Sequence, residues 1–455
     1  MNSALPSPAL GGVSRFRSLI DSRHMANNLI HVFNKYTATL GDTFLFHFGG
    51  VKTAIVSSDP AVMQHVLKTN YENYRKSPIQ TKRMRHFIGP GLLTLHGQEW
   101  HTQRRLIHRG GFSATRLASM AATMQSSVDD SLEYFDGRAR NGAVDIYPEI
   151  MQMTFRMVSR SLFSASIKDE DIDYLSRSIS AVQAFLVRQV VQPYLDPWFA
   201  ISGELGRHDA MRDRCYEIVR ELIRERRRQP ERHDDLLQAL MDVVYSDTGR
   251  GMSDESIMHE SLQLLVAGHE TSSNALCWTL YLLATHPAYI DKVRAEYDRA
   301  IGDSALQYSD LPKLECATEV VEESLRLYPP FWMVDRVAVA SDRIGDLLVP
   351  QGATVVAFIY GAHHSPKYWD NPERFMPERF DKETKKNHTP FAYLPFGGGP
   401  RGCVGGNYAM MQMLMILGRL LRRYDCELAP DQKVAARPEV VLRPENGIRM
   451  KFTRR

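Results

Sequence analysis

Phe396-Gly-Gly-Gly-Pro-Arg-Gly-Cys-Val-Gly405, running directly into Gly406-Asn-Tyr-Ala-Met-Met-Gln-Met-Leu-Met415, is the densest signal in the chain. Gly397, Gly399 and Gly402 satisfy G-x-G-x-x-G, the phosphate-binding fingerprint of dinucleotide folds. The preceding Tyr393-Leu-Pro-Phe396 is too short and proline-broken for the strand that fingerprint requires, and Pro400 sits inside it, so the dinucleotide reading is discarded. What the stretch offers is a cysteine, Cys403, on a glycine-rich loop that leads into a helix. Glycines let a backbone approach a flat ligand closely, and the N–H groups and dipole of a helix N-terminus favour thiolate over thiol. A thiolate so placed suits iron.

The other four cysteines, Cys215, Cys277, Cys316 and Cys426, read as small buried apolar side chains, the commonest use of free cysteine. An odd number of cysteines without a Cys-x-x-Cys pair argues against a disulfide framework or structural zinc, and fits a reducing cytoplasm. The 455 residues, 44% hydrophobic and 24% charged, supply a large core and exclude disorder. Against 56 Lys and Arg stand 53 Asp and Glu, a net charge of +3 too even for a nucleic-acid-binding protein. Arg15, Arg17, Asp21 and Arg23 break up the N-terminal region, so neither a signal peptide nor a membrane anchor is expected. Leu262 to Leu283 is apolar but carries His269, Glu270 and Asn274, which marks a core helix.

Outward from the cysteine loop, Phe44 to Phe48 and Val51 to Val56 flank Gly49-Gly50 as a hairpin, and Asp59 with Pro60 opens a helix. Further strand pairs are predicted at 343–348 with 354–359, around Pro350-Gln-Gly352, and around Pro444-Glu-Asn-Gly447. Helical periodicity fills roughly 60–70, 98–108, 114–135, 148–163, 170–191, 205–228, 234–245, 254–284, 287–301, 315–327 and 406–424. Arg224 to Arg228 reads as a solvated helix end.

With these elements in place, the chain resembles the cytochrome P-450s, the heme-thiolate monooxygenases. Phe-x-x-Gly-x-Arg-x-Cys-x-Gly is met in full by Phe396, Gly399, Arg401, Cys403 and Gly405. Glu323-Ser-Leu-Arg326 before Tyr328-Pro-Pro330, Phe375-Met-Pro-Glu-Arg-Phe380, Ala267-Gly-His-Glu-Thr271 and Trp100-His-Thr-Gln-Arg104 are further matches. The resemblance is to the soluble bacterial type, and Arg401 tilts it toward the fatty-acid-hydroxylase-like branch. It implies a mainly α fold, with a large helical domain around a long central helix and a small β-rich domain. A single domain over 1–455 is expected, β-rich at about 36–60, 331–362 and 430–455, and helical at about 61–330 and 363–429.

The resemblance implies heme b with Cys403 as the axial thiolate, and Trp100, Arg104, Arg336, Phe396, Arg401 and Gly405 as further cofactor-binding residues. Guanidinium forks suit heme propionates, although arginines are also ordinary surface residues. Glu270 and Thr271 match the catalytic acid–alcohol pair that delivers protons. The same helix is no zinc-protease helix, because H-E-x-x-H would need histidine where Ser273 and Gln263 stand. Glu323 and Arg326 could be a surface pair contributing about 0.2–0.5 kcal/mol. Their apolar neighbours Ala317, Val320, Val321, Leu325 and Leu327 instead favour the buried structural triad that the family forms with Arg379.

The chain departs from the family where Gln412 replaces a common glutamate and where Arg109-Gly-Gly-Phe112 lacks a usual proline. Phe185 to Phe199 falls at the mobile lid, while Lys82, Arg83 and Arg85 could anchor an anionic substrate group or be plain solvated charge. Leu264, Ala267, Phe331, Trp332, Met333 and Val334 are the candidate substrate-pocket walls. The expected reaction inserts one atom of O2 into an apolar C–H bond of a fatty-acid-, terpenoid- or steroid-like molecule. Electrons would come from a ferredoxin or flavodoxin with its reductase, since no flavin or iron–sulfur segment is seen. His101, Arg105, His108 and Arg109 would offer that partner a basic surface. A cytoplasmic monomer is expected. The alternatives are a peroxide-driven peroxygenase, a heme-binding sensor or carrier without turnover, and a heme-free helical scaffold.

Overall fold

Gly49 and Gly50, at φ 60° and 73°, close the expected hairpin between β1 (Thr43–Phe48) and β2 (Lys52–Ser57). Around it the computed structural model describes residues 10–140, 142–164, 167–245 and 249–455, and 61% of the chain is helical. The helices are α1 (Arg15–Leu40), α2 (Pro60–Gln64), α3 (Arg85–Ile88), α4 (Gly97–Gly111), α5 (Ala114–Ala139), α6 (Ile146–Phe163), α7 (Asp169–Val191), α8 (Asp196–Ile201), α9 (Glu204–Arg228), α10 (Leu236–Asp242), α11 (Asp254–Thr285), α12 (Pro287–Ile301), α13 (Glu315–Leu327), α14 (Ile359–His363) and α15 (Gly406–Arg423). The remaining strands are β3 (Tyr74–Arg75), β4 (Val144–Asp145), β5 (Val334–Ala338), β6 (Asp342–Ile344), β7 (Leu347–Val349), β8 (Thr354–Ala357), β9 (Tyr424–Leu428), β10 (Ala436–Pro438), β11 (Leu442–Pro444) and β12 (Arg449–Arg454). The chain forms two compact units.

The first unit comprises 1–78, 322–403 and 436–443, so it takes in 363–403 besides the expected β-rich 36–60 and 331–362, while 430–435 and 444–455 of the third expected β-rich segment belong to the second unit. Its sheet has the order β1-β2-β8-β5-β3, in which β2 and β8 are parallel and the other pairs antiparallel. All four residues of β8 are buried, as befits a strand covered on both faces. The predicted pairing of 343–348 with 354–359 is corrected. Gly345, at φ 57°, breaks that run into the β6–β7 hairpin, which frees β8 to pair with β2 and β5. Helix α1 was not legible in the sequence. Ser14 caps it, Asn28 kinks it, and Phe33 anchors it by edge-on contacts with the rings of Phe44, Phe46, Phe48 and Phe358.

The second unit comprises 79–321, 404–435 and 444–455. Its axis is α11, which Ser253 caps by accepting the Ser256 N–H. Gly268 brings α11 against α6, since a Cβ there would lie 3.2 Å from Val158 Cγ2. A small sheet of order β4-β12-β9 closes this unit, so 444–447 connects β11 to β12 and is not the predicted hairpin. In the Arg224–Arg228 run, Arg226 is no solvated terminus. It is buried and makes two bonds to Asp235, at 2.9 and 2.7 Å.

Candidate active site

In the first unit the cysteine loop is shaped by positive-φ glycines, Gly397 at 70° and Gly399 at 66°. A Cβ on Gly399 would stand 2.0 Å from the Leu67 carbonyl oxygen, so only glycine fits this approach. Cys403 N–H donates to the Phe396 carbonyl at 2.8 Å, and Gly402 N–H to that of Gly399 at 3.0 Å. Cys403 is exposed, whereas Cys215, Cys277 and Cys426 are buried. Desolvation pushes the Cys215 thiol up to about 11 and the Cys426 thiol up to about 12, and raises Cys277 well above its ordinary value. Those three stay protonated, which leaves Cys403 better placed to act as a thiolate ligand.

Glu323, Arg326 and Arg379 come together in the same unit. Arg326 Nε and Nη2 donate to the Glu323 oxygens at 2.7 and 2.8 Å, and Arg379 Nε donates to Oε1 at 3.3 Å. Glu323 and Arg326 are fully buried, and Met376 N–H adds a bond to Glu323 at 3.0 Å. The cluster extends to His363, which the sequence reading missed. Arg326 Nη1 donates to the His363 carbonyl at 2.8 Å, and His363 Nε2 accepts the Leu394 N–H at 2.8 Å. Leu394 in turn accepts from Gly397 N–H at 3.1 Å, so a chain of bonds runs from the triad to the cysteine loop. Burial pushes His363 down to about 3, and the neutral ring keeps Nδ1–H to donate to the Arg326 carbonyl, 3.1 Å away. Its position between apolar Ala362 and a turn was a weak signal in the sequence.

Arg336 on β5 is buried, and its Nη1 donates to the Asp335 carbonyl at 2.7 Å. Desolvation lowers its pKa, and the charge of the adjacent Asp335 carboxylate offsets part of that shift. A guanidinium buried at this cost is matched to an incoming anionic group such as a propionate. Arg401 and Phe396 are half-buried on the cysteine loop. Of the four pocket-wall candidates here, Met333 and Val334 are half-buried and Phe331 is exposed. Trp332 belongs to the apolar core beside Phe33 and Phe358, with its Nε1–H donated to the Glu439 carbonyl at 3.0 Å. That packing makes it a poor pocket wall.

In the second unit, α11 is buried for most of its length, but Leu264, Ala267, Gly268 and Thr271 are half-open. Spacing of three, one and three residues puts these four on a single helical face. Thr271 Oγ1 donates to the Ala267 carbonyl at 2.9 Å, and the Glu270 carbonyl accepts from Asn274 Nδ2 at 2.8 Å. Gly405 is the N-cap of α15. On α4, Trp100 is buried and Arg104 lies one turn on, its guanidinium carbon 5.8 Å from the indole centroid. Arg83 is not free to bind a substrate anion, because it makes two bonds to Asp196, at 3.1 and 2.7 Å. Lys82 and Arg85 are exposed. In the lid stretch, Phe185 and Phe199 pack with Phe87 and Ile88, while Tyr194 and Trp198 are exposed.

Taken unit by unit, the donors suit a heme, with a soft thiolate for iron and a buried guanidinium for a propionate. Comparison with known proteins points the same way. The family model for Cytochrome P450 matches residues 6–452. A cyclooctat-9-en-7-ol 5-monooxygenase of Streptomyces melanosporofaciens is 30% identical over 386 residues, 84% of this chain and 82% of its own. An ultra-long-chain fatty acid omega-hydroxylase of Homo sapiens is 28% identical over 455 residues, covering 95% and 83% of the two chains. The crystal structure of the cytochrome P450DA heme domain superposes with a TM-score of 0.85 at 22% identity, covering 98% of this chain and 97% of that one. No described helix is long and apolar enough to cross a membrane.

Proposed function

Since this chain belongs to the cytochrome P450 family, whose members are heme-thiolate monooxygenases, we propose that it hydroxylates an apolar C–H bond of a fatty-acid- or terpenoid-like small molecule. The relatives named for 5-monooxygenation of cyclooctat-9-en-7-ol and for omega-hydroxylation of ultra-long-chain fatty acids support that substrate class. Cys403 is the proposed axial ligand, and Trp100, Arg104, Arg336 and Arg401 the proposed holders of the propionates. Heme bound in this way supplies activation of O2 and transfer of one of its oxygen atoms to carbon.

The remaining chemistry is assigned to side chains of this chain. Thr271 Oγ1, now bonded to the Ala267 carbonyl, is proposed to turn its hydroxyl toward oxygen and pass on a proton, with Glu270 resupplying it. Leu264 and Ala267 would give the substrate an apolar wall on the same helical face. The triad and His363 would hold the cysteine loop still. Electrons are proposed to come from an acidic ferredoxin or flavodoxin that meets His101, Arg105, His108 and Arg109, with the protein in the cytoplasm.

The observation that carries this reading is the open Cys403 on its glycine-shaped loop, contrasted with three buried thiols held protonated. Its test is the visible spectrum of the purified protein, first reduced under carbon monoxide, then ferric and titrated with fatty acids, terpenes and steroids. A thiolate-type carbonyl band and a saturable spin shift with fatty acids or terpenes are expected. A colourless protein would refute the heme assignment, and a spectrum that neither class moves would refute the substrate class.

A further inference from the structure

Glu260 is a buried carboxylate on α11 that none of the chemistry above uses. Among the described residues it meets no cation. Its oxygens accept the Leu92 N–H at 3.0 and 3.2 Å and the Gln103 side-chain amide at 2.8 Å. One turn on, Gln263 grips the same loop. Its Oε1 accepts the Leu93 N–H at 2.8 Å, and its Nε2 donates to the carbonyls of Ile88 and Gly89 at 3.2 and 3.0 Å. Thr94 Oγ1 braces the loop from within by donating to the Gly89 carbonyl at 2.8 Å.

Two glycines let the loop lie directly against the side chains of α11. A Cβ on Gly91 would stand 2.5 Å from Gln263 Nε2, and one on Gly89, at φ 72°, 2.0 Å from His259 Cδ2. Past Gln263, Val266 packs, as Leu93 does, against the buried cluster that contains Phe87 and Ile88, immediately before the half-open Ala267. Burying a carboxylate without a cation is expensive, and an apolar side chain would stabilise the core more cheaply. What apolar side chains could not do is hold the Leu92 and Leu93 N–H groups of an irregular loop at fixed depth, one on Glu260 and one on Gln263.

We infer that Glu260 and Gln263 are positioning residues for substrate, which fix loop 88–94 beside the Leu264–Ala267 face and so set how a large ligand is oriented there. This rests on the monooxygenase reading, with substrate held over that face. Loosening the loop should therefore weaken ligands large enough to touch it and leave untouched those that need only the iron.

The holoenzyme and the variants Glu260→Leu, Gln263→Leu, Glu260→Gln and Gln263→Glu test this with two iron-binding probes, imidazole and 4-phenylimidazole, and with deuterium exchange of the peptide spanning 88–94. The leucine variants should exchange that peptide at least tenfold faster and bind 4-phenylimidazole at least fivefold more weakly, with imidazole affinity and the carbonyl spectrum unchanged. Glu260→Gln, which keeps an acceptor for the Leu92 N–H, should stay within twofold of wild type. If the leucine variants do not fold, Gln263→Glu carries the test, because it removes the donors to Ile88 and Gly89 and should loosen the loop likewise. Unchanged exchange and 4-phenylimidazole binding would overturn the inference, as would equal weakening of both probes. A wild type without a thiolate spectrum would instead overturn the monooxygenase reading, and the inference with it.

Discussion

Cys403 and Cys277 are chemically the same residue in opposite surroundings, and the contrast makes a prediction. Cys403→Ser should abolish the thiolate-type carbonyl spectrum, whereas Cys277→Ala, which removes a buried thiol held protonated, should leave it intact. Retention of the spectrum in the serine variant would exclude Cys403 as the ligand. Thr271 makes a second. Its hydroxyl is bonded to the Ala267 carbonyl, and Thr271→Ala removes the proposed proton carrier while leaving Leu264 and Ala267 in place. The variant should consume reductant at a similar rate but divert most of it to peroxide, read as the ratio of peroxide to hydroxylated product; full coupling would remove Thr271 from the proton path. Both residues could be proposed from the sequence because each sits in a short local motif. His363 was not, because its role depends on Arg326 and Leu394, which lie 37 and 31 residues away along the chain.

Between elements, α13 is joined to the segment before the cysteine loop through a fully buried acid. Glu323→Ala would strand the Arg326 guanidinium, and removing one partner of such a pair costs about 3–5 kcal/mol. Lower thermal stability and a low heme-to-protein ratio are expected, with a normal spectrum from whatever heme is bound; a stable, heme-replete variant would contradict this. On α15, Gln412 is buried and donates through Nε2 to the Thr154 carbonyl of α6 at 3.2 Å. Gln412→Glu, the residue common in the family, would set a carboxylate against that carbonyl and should destabilise this chain by about 1–3 kcal/mol, read as a fall in the unfolding midpoint. The helices were read well because 3.6-residue periodicity survives without tertiary knowledge. Strand partners were not, because nothing local in 354–359 shows that its neighbours are β2 and β5. Helix α1 escaped for the related reason that its anchor, Phe33, finds its aromatic partners only once β1 and β8 are in place.

At the scale of the molecule, buried ionisable groups set how stability depends on pH. Desolvation pushes His269 down to about 4 and His363 down to about 3, so both fold as neutral rings. Below their unfolded value near 6.5 the unfolded chain binds the extra protons, and the stability from these two groups is lost as pH falls from there. Glu260 works in the other direction. Burial pushes its carboxyl up to about 7, so the folded state holds a proton the unfolded chain has released, and stability falls as pH rises from about 4.5 to 7. Unfolding midpoints measured from pH 5 to 8 should therefore rise toward about 6.5, fall slightly to about 7 and then level off, and Glu260→Gln should lack the fall. An identical profile for that variant would show that Glu260 is ionised at no cost. The parallel pairing of β2 with β8 has a consequence of another kind. Ala54 must wait for Thr354, and at roughly 5–20 residues per second a ribosome takes about 15–60 s to make the intervening chain. Throughout that interval one edge of β2 is an open template for the wrong strand, so the yield of active protein should depend on how slowly nascent chains meet one another, and cool, dilute synthesis should raise it.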